Sequence, residues 1–341
     1  MNRSAELKRG LILGLVTLVV LMMVPFMVAD EYLLTVLNMI GIYVILASSL
    51  NLIVGYTGQL SFAHIAFFGI GAYTSGLLGT KLGISFWLGL PAAGAVAAIV
   101  GFVVGLIALR FGSHIFVLVT LSLGEIIRLV FYNWVELTGG PDGLFGISRP
   151  ENISLLGITW DFSTPAGIYR LIMIFAVISV IIIWLIVRSS VGRALIAIRE
   201  NETFAEFCGI NVWFYKNLSF TIGALFAGIA GSVYAHFFGY IAPSSFNTME
   251  AIYLVLMPFF GGIGTIAGPI IGTFLLISLP EFLRVLADYR MTIMGLLLVL
   301  IILIMPQGIV GAIQSLYIRL KAGRSSRAEI SAGSIRVNRG G

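Results

Sequence analysis

Ten apolar runs leave this 341-residue chain few ways to fold. They are Leu11–Ala29, Leu33–Val54, Leu60–Thr80, Phe86–Leu109, Ile115–Trp134, Ile168–Val187, Asn217–Phe237, Ala251–Phe260, Ile266–Leu286 and Met291–Met305. In hydrocarbon every backbone N–H and C=O must be bonded within the structure, and about 20 apolar residues are what an α-helix needs to cross a bilayer. The eighth run is short and bounded by glycines. The chain is 59% hydrophobic and 10% charged, with a mean hydropathy of +1.06, far from the balance of a soluble domain. Its 40 glycines suit helices that pack closely or are broken. The expectation is an all-α, polytopic membrane protein of about ten transmembrane helices, some of them broken. The first run follows Arg3, Lys8 and Arg9 and ends Met27-Val28-Ala29-Asp30-Glu31. That is longer than a signal-peptide core and has no small-residue cleavage site, so it reads as a retained span.

Charge sets the orientation. With the N-terminus inside, the cytoplasmic segments hold Arg3, Lys8, Arg9, Arg110, Arg188, Arg193, Arg199, Lys216, Arg319, Lys321, Arg324, Arg327, Arg336 and Arg339. Those are 14 of the 20 Lys and Arg residues, the bias expected of cytoplasmic loops. A re-entrant eighth run would put the basic tail outside, so ten crossings with both termini cytoplasmic fit better. Facing the other side, Asn133–Gly167 reads as a loop of short turns around Gly139-Gly140-Pro141-Asp142-Gly143, and Phe238–Glu250 is a shorter one with Pro243. A cluster of Glu281, Arg284, Asp288 and Arg290 marks the outer end of the ninth span, as a partner contact or an interfacial rim. Residues 1–320 form one transmembrane domain. Residues 321–341, rich in Ser, Gly and Arg, read as a disordered basic cytoplasmic tail, suited to anionic membrane lipid.

The polar exception is Arg188–Lys216, with Arg188, Arg193, Arg199, Glu200, Glu202, Glu206 and Lys216. Ala194, Ile198, Ala205 and Ile210 recur among these charges at roughly helical intervals, which predicts a short helix lying on the membrane surface. It is either a solvated loop or a docking surface for something in water.

Polar and glycine-rich breaks interrupt the apolar pattern elsewhere. Gly55-Tyr56-Thr57-Gly58-Gln59-Leu60-Ser61-Phe62-Ala63-His64 brings Gln59, Ser61 and His64 to membrane depth. Non-helical backbone there must be covered by protein or line a wet cavity, so the stretch is a pathway element or an ordinary cytoplasmic turn. Gly261, Gly262, Gly264, Gly268 and Pro269 make a continuous helix improbable and mark a hinge or pathway. Glu125 and Arg128 share one face of the fifth run, either as pathway lining or as a structural pair. Gly69, Gly71, Gly76, Gly101, Gly105, Gly223, Ala227 and Gly231 repeat small residues at helix-packing intervals.

Absences narrow the function. The single cysteine, Cys208, rules out an internal disulfide and any Cys-rich metal motif. Excess basic charge in a chain this apolar points to membrane sidedness rather than to nucleic acid. Lys8, Lys81, Lys216 and Lys321 follow Leu, Thr, Tyr and Leu, so no P-loop Gly-Lys-Ser/Thr exists. Intramembrane carboxylates of the kind proton-driven carriers use are sparse, Glu125 being the clear case. No triad or metal cluster suggests an enzyme. Any driving energy must then come from a partner.

Motifs in order along the chain resemble a known family. Leu50-Asn51-Leu52-Ile53-Val54-Gly55-Tyr56-Thr57-Gly58-Gln59-Leu60-Ser61 with Gly69-Ile70-Gly71-Ala72-Tyr73 is similar to the opening signature of branched-chain amino acid ABC transporter permeases. Thr120–Arg128, Leu137–Gly143, Gly192-Arg193-Ala194, Ala197-Ile198-Arg199-Glu200, Gly209-Ile210-Asn211-Val212, Gly261–Thr265, Gly268-Pro269 and Pro306-Gln307-Gly308 resemble its LivM-type subunit. The likeness covers about Asn38 to Gly311 and departs at Phe111-Gly112-Ser113-His114. It implies a bacterial inner-membrane importer: this subunit, a LivH-like second permease, two cytoplasmic ATP-binding subunits and a periplasmic substrate-binding protein. ATP and Mg would be held by the partners and no cofactor by this chain. It also implies that a cytoplasmic helix between Arg193 and Gly209 fits the ATPase, with Arg193, Arg199, Glu200, Glu202, Ala205, Glu206 and Gly209 as its coupling residues. The cargo would be leucine, isoleucine or valine. A permease for another small amino acid, amide or urea is the alternative, as is an ATP-independent secondary carrier.

Overall fold

A computed structural model describes residues 3–27, 30–155, 158–283, 290–305 and 307–315. The predicted tail at 321–341, together with Arg284, Asp288 and Pro306, lies outside the described residues. The chain order is α1 (Arg3–Met27), α2 (Glu31–Val54), α3 (His64–Leu82), α4 (Phe86–Ala108), α5 (Ser113–Asn133) and a single turn, α6 (Val135–Thr138). Then come β1 (Leu144–Phe145), β2 (Ile153–Leu155), β3 (Ile158–Trp160), α7 (Pro165–Arg188), α8 (Ser190–Glu200), α9 (Glu202–Phe207) and α10 (Val212–Phe238). The last elements are β4 (Tyr240–Ile241), α11 (Thr248–Gly261), α12 (Ala267–Phe282) and α13 (Arg290–Ile304). Each of the ten apolar runs contains a helix, the third only from His64, and among the described residues five helices, α2, α4, α5, α7 and α10, are long and apolar enough to cross a bilayer.

Polar residues at the run boundaries start the helices. Asp30 accepts from Tyr32 N at 2.9 Å at the head of α2, and Thr164 accepts from Gly167 N at 3.1 Å ahead of Pro165 in α7. Asn247 accepts from Glu250 N at 2.9 Å to open α11. Each satisfies a backbone donor that the first helical turn leaves without a partner.

α2 and α10 form the centre, with α3 and α4 packed on α10 and α7, α11 and α12 on α2. The contact between α3, α4 and α10 is made by small residues, as their spacing predicted. A Cβ on Gly71 would land on the Gly228 backbone, one on Gly231 on the Phe68 carbonyl, and one on Gly101 on Ala224. Between helices surrounded by lipid there is no hydrophobic drive, so close backbone approach and dispersion hold them together. Aromatics fill the space these glycines leave: Phe67 meets Phe220 edge-on at 5.4 Å, and Phe68 meets Phe246 at 5.6 Å.

The connections sort to two ends of the bundle. At one end lie the α2–α3 break, α8, α9 and the α11–α12 turn. At the other lie 83–85, 133–155, 158–164 and 239–247. The loop expected to consist of short turns is more ordered than that. β1 pairs antiparallel with β4, joining two loops at this end through Leu144↔Ile241 and Phe145↔Tyr240, and β2 pairs antiparallel with β3. Glu151 accepts from Ser85 at 2.5 Å, and His236 of α10 contacts Ser148 O at 2.6 Å and Ser75 at 2.9 Å. The hydroxyl and N–H of Ser163 both donate to Asp161, which holds that carboxyl below its usual range.

Candidate functional site

The polar segment folds as two helices, not the single one its periodicity predicted. Asn201, at φ −161° and ψ 108°, ends α8, and its side chain accepts from Phe204 N at 2.9 Å to start α9. An extended residue cannot continue a helix, and Asn is among the best N-caps, so the break is built into the sequence. Gly192, Ala194, Leu195 and Ile198 of α8 face the bundle, where Leu195 packs with Leu52 and Tyr56. In α9 only Ala205 is buried, beside Ile198 and Val212. Arg193, Glu206 and Gly209 are exposed, and Gly209 takes φ +83° in open space. Phe204 is 67% exposed and Phe207 86%, and Trp213 and Phe214 at the start of α10 are exposed too. Two exposed phenylalanines on a six-residue helix form an apolar knob in a charged segment. Lys216, buried at the start of α10, pairs with Glu202 at 2.6 Å and anchors α9.

The two predicted breaks meet beneath α8. Asn51, near the end of α2 and 1% exposed, donates to Thr265 O at 2.8 Å and accepts from Gly264 N at 3.0 Å. Gly55 sits so close that a Cβ there would strike Asn51 and come 2.6 Å from Gly264 N. Thr265 Oγ1 donates to Gly262 O at 2.8 Å and accepts from Gly268 N at 3.0 Å, closing the α11–α12 turn. Gly261 and Gly268 press backbone on backbone, Pro269 is buried in the first turn of α12, and Gly262, at φ +128°, backs onto Gln307 and Val310. Arg199 comes from above: its Nη1 donates to Gly55 O at 2.8 Å, and its Nη2 contacts Glu200 Oε1 at 2.8 Å.

From Gly55 the chain runs inward without helix. Thr57 Oγ1 lies 3.4 Å from Ser219 of α10, Phe62 N donates to Thr120 Oγ1 of α5 at 3.2 Å, and His64 lies against Gly223 of α10. Gly223 is eleven residues past Val212, about 16 Å along the helix at 1.5 Å per residue. α3 therefore begins near mid-depth, and Gln59, Ser61 and His64 are buried on the way. Gln59 N donates to Ile53 O at 3.2 Å, Ser61 Oγ accepts from Ala63 N at 3.3 Å, and His64 Nε2 lies 3.2 Å from Ser49 Oγ. All three are enclosed by protein. Gly58, at φ +75°, is the exposed point of the stretch, under the methylenes of Arg199.

The inner end of this segment opens on a small cleft of about 10 Å³, lined by Phe62, Ile65, Leu121, Gly124, Glu125, Phe246, Thr248 and Ala251. Glu125 holds Arg128 through Oε1 and Oε2, with Nε at 2.9 and 3.0 Å, and Thr248 Oγ1 lies 3.4 Å from Oε2. Both side chains are partly open, at 38% and 23%. α5 is the least covered of the five long apolar helices, with Leu118, Ile126 and Leu129 exposed around this pair. A charged pair facing hydrocarbon costs several kcal/mol, so this face suits protein or water better than lipid.

Sequence reasoning found both breaks and the pair but missed Asn51, Phe62, Thr120 and Thr248. Their signals are weak: an Asn at a helix end or a Thr within an apolar run is ordinary until its partner is known. Of the outer cluster, Glu281 falls in α12 and Arg290 in α13. Among the described residues, no group of three or more His, Cys, Asp or Glu is placed to hold a metal ion.

Residues 32–303 match a protein family described as the branched-chain amino acid transport system permease component. The chain is 33% identical to the high-affinity branched-chain amino acid transport system permease protein LivM of Salmonella typhimurium, over 88% of this chain and 75% of that one. To LivM of Escherichia coli it is 35% identical over 87% and 74%. To LivH of Escherichia coli it is 30% identical over 79% of this chain and 91% of that one. No solved structure matches.

Proposed function

The chain belongs to the family of branched-chain amino acid transport system permease components, and from that premise we propose how its parts divide the work of import. It is a multi-pass membrane permease subunit of a branched-chain amino acid ABC importer, and its relatives are transport subunits, not enzymes. A second permease subunit belongs to such a system, and the likeness to LivH makes that partner a homologue of this chain.

In this reading the ten apolar helices are ten crossings, with both termini in the cytoplasm of a bacterial cell. Most Lys and Arg residues of the loops then fall on the side that carries α8 and α9. Two ATP-binding subunits dock there and hold ATP and Mg; the knob of Phe204 and Phe207 flanked by Glu206 is the contact. A periplasmic binding protein delivers leucine, isoleucine or valine to the loops knitted by β1 and β4. The cargo passes along the α5 face at Glu125, beside the non-helical segment ending at His64. The single observation carrying this reading is the convergence beneath α8. One charged segment touches both helix breaks, and one of those breaks runs to the half-buried Glu125–Arg128 pair. Work done on α8 thus has a route to the pathway, through the Arg199–Gly55 hydrogen bond and then along the chain from Gly55 to His64.

The test is reconstitution. Vesicles holding this chain with the second permease, the ATPases and the binding protein should import isoleucine only with internal-facing ATP. Gradient-driven uptake by this chain alone would refute the reading.

A further inference from the structure

Of the charged coupling residues on α8, Arg193 and Glu200 are exposed, while Arg199 bonds to the backbone of the bundle. Arg199 is charged and reaches solvent, as a docking residue would, yet its guanidinium turns inward. We propose that Arg199 is the positioning residue that delivers movement of α8 to both helix breaks at once. The inference rests on the reading of α8–α9 as the ATPase-facing segment and deepens it.

Three observations carry it. Arg199 Nη1 donates at 2.8 Å to the carbonyl of Gly55, at the C-terminal end of α2. Carbonyls there have no intrahelical partner, and a cation at that end also meets the negative pole of the helix. Next, the side chain crosses two glycines with left-handed backbone. A Cβ on Gly58 (φ +75°) would come 3.0 Å from Arg199 Cγ, and one on Gly264 (φ +70°) 2.5 Å from Nη1. Both turns need glycine for their conformation, and both leave open the groove in which the arginine lies. Finally, Asn51 fastens those turns to each other from below, through Thr265 O and Gly264 N. The α2–α3 and α11–α12 turns are therefore one unit before Arg199 reaches them. Leu195, one helical turn earlier, packs on Tyr56 of the same unit.

A shift of α8 along the membrane surface must carry this unit with it or break the Gly55 bond. Carried along, Gly55 pulls the non-helical segment whose far end sits against α5 at Thr120, and Gly264 pulls the start of α12. Arg199 thus acts within the permease and leaves contact with the ATPase to Phe204 and Phe207.

The assay uses the complete complex in vesicles and measures isoleucine taken up and phosphate released by the same sample. Arg199→Gln should assemble with its partners in normal ratio but import about tenfold fewer molecules per ATP, a modest coupling energy between sites. Arg199→Lys keeps a charged donor for Gly55 O and should recover to within about threefold of the original. An Arg199→Gln complex with the original molecules-per-ATP ratio overturns the proposal. So does a loss of uptake matched by an equal loss of ATPase subunits from the purified complex, which would make Arg199 a docking contact. Failure of the unsubstituted complex to import would instead refute the importer reading.

Discussion

Replacing Gly228 with Ala tests whether close helix packing, rather than helix propensity, sets the stability of this bundle. Gly228 lies in the middle of α10, where it faces α4. A Cβ there would lie 2.5 Å from Ala97 Cβ and 2.6 Å from Ala93 O. Carbon–carbon contacts are most favourable at about 3.5–4.0 Å, so α4 and α10 must part by roughly 1 Å. Neither obstacle can swing away, since one is a methyl on a helix and the other is backbone. Overpacking of this kind costs about 1–3 kcal/mol. Against it stands a gain of about 0.5–1 kcal/mol for Ala over Gly inside a helix. The net expectation is a loss of about 1–2 kcal/mol, or roughly 3–6 °C in Tm at about 3 °C per kcal/mol. Gly295→Ala is the control: among the described residues nothing lies within 4 Å of its added methyl in α13, so the propensity gain applies and Tm should rise slightly. Fluorescence-detected thermal unfolding of the purified complex in detergent reads both. The two variants should move in opposite directions, and a Gly228→Ala protein as stable as the original would refute the packing argument.

Phe207→Asp should leave insertion intact and cut the ATPase recovered with the chain at least tenfold, since a well-seated interface aromatic is worth about 2 kcal/mol; co-purification measures it. Glu202→Gln strands the buried Lys216 ammonium and should cost about 1–2 kcal/mol, less than a fully buried pair because Glu202 is 52% exposed. Adding Lys216→Met should restore most of that loss of thermal stability, and no recovery would deny the pair its anchoring role. Asn201→Ala removes the cap of α9 and should cost about 1 kcal/mol, so amide exchange at 204–207 should quicken about fivefold. Unchanged exchange there would mean that burial of Ala205 alone holds α9.

Much of this protein is written locally. An apolar run must satisfy its own backbone in lipid, and each of the ten runs holds a helix, the third only from His64 onward. Glycines spaced for close packing became the contacts among α3, α4 and α10 because nothing but small side chains lets backbones touch. Glu125 and Arg128, three residues apart, had to share a face, and they bond. The loop after α5 was read less well. Its strands are two or three residues long, and β1 finds its partner in β4, nearly a hundred residues away in a separate loop.

The amino-acid sequence by itself determined which segments are apolar helices, where helices cannot continue, and in which one stretch the charges gather. Apolarity, backbone satisfaction and charge act on neighbours along the chain, and neighbours are what a sequence shows. Only the tertiary structure decided that Asn51 would clasp Thr265, 214 positions away, and that Arg199 would reach back 144 positions to Gly55. Those meetings depend on the order in which helices pack around α2 and α10. A glycine turn has the same sequence whether it lies in solvent or under an arginine.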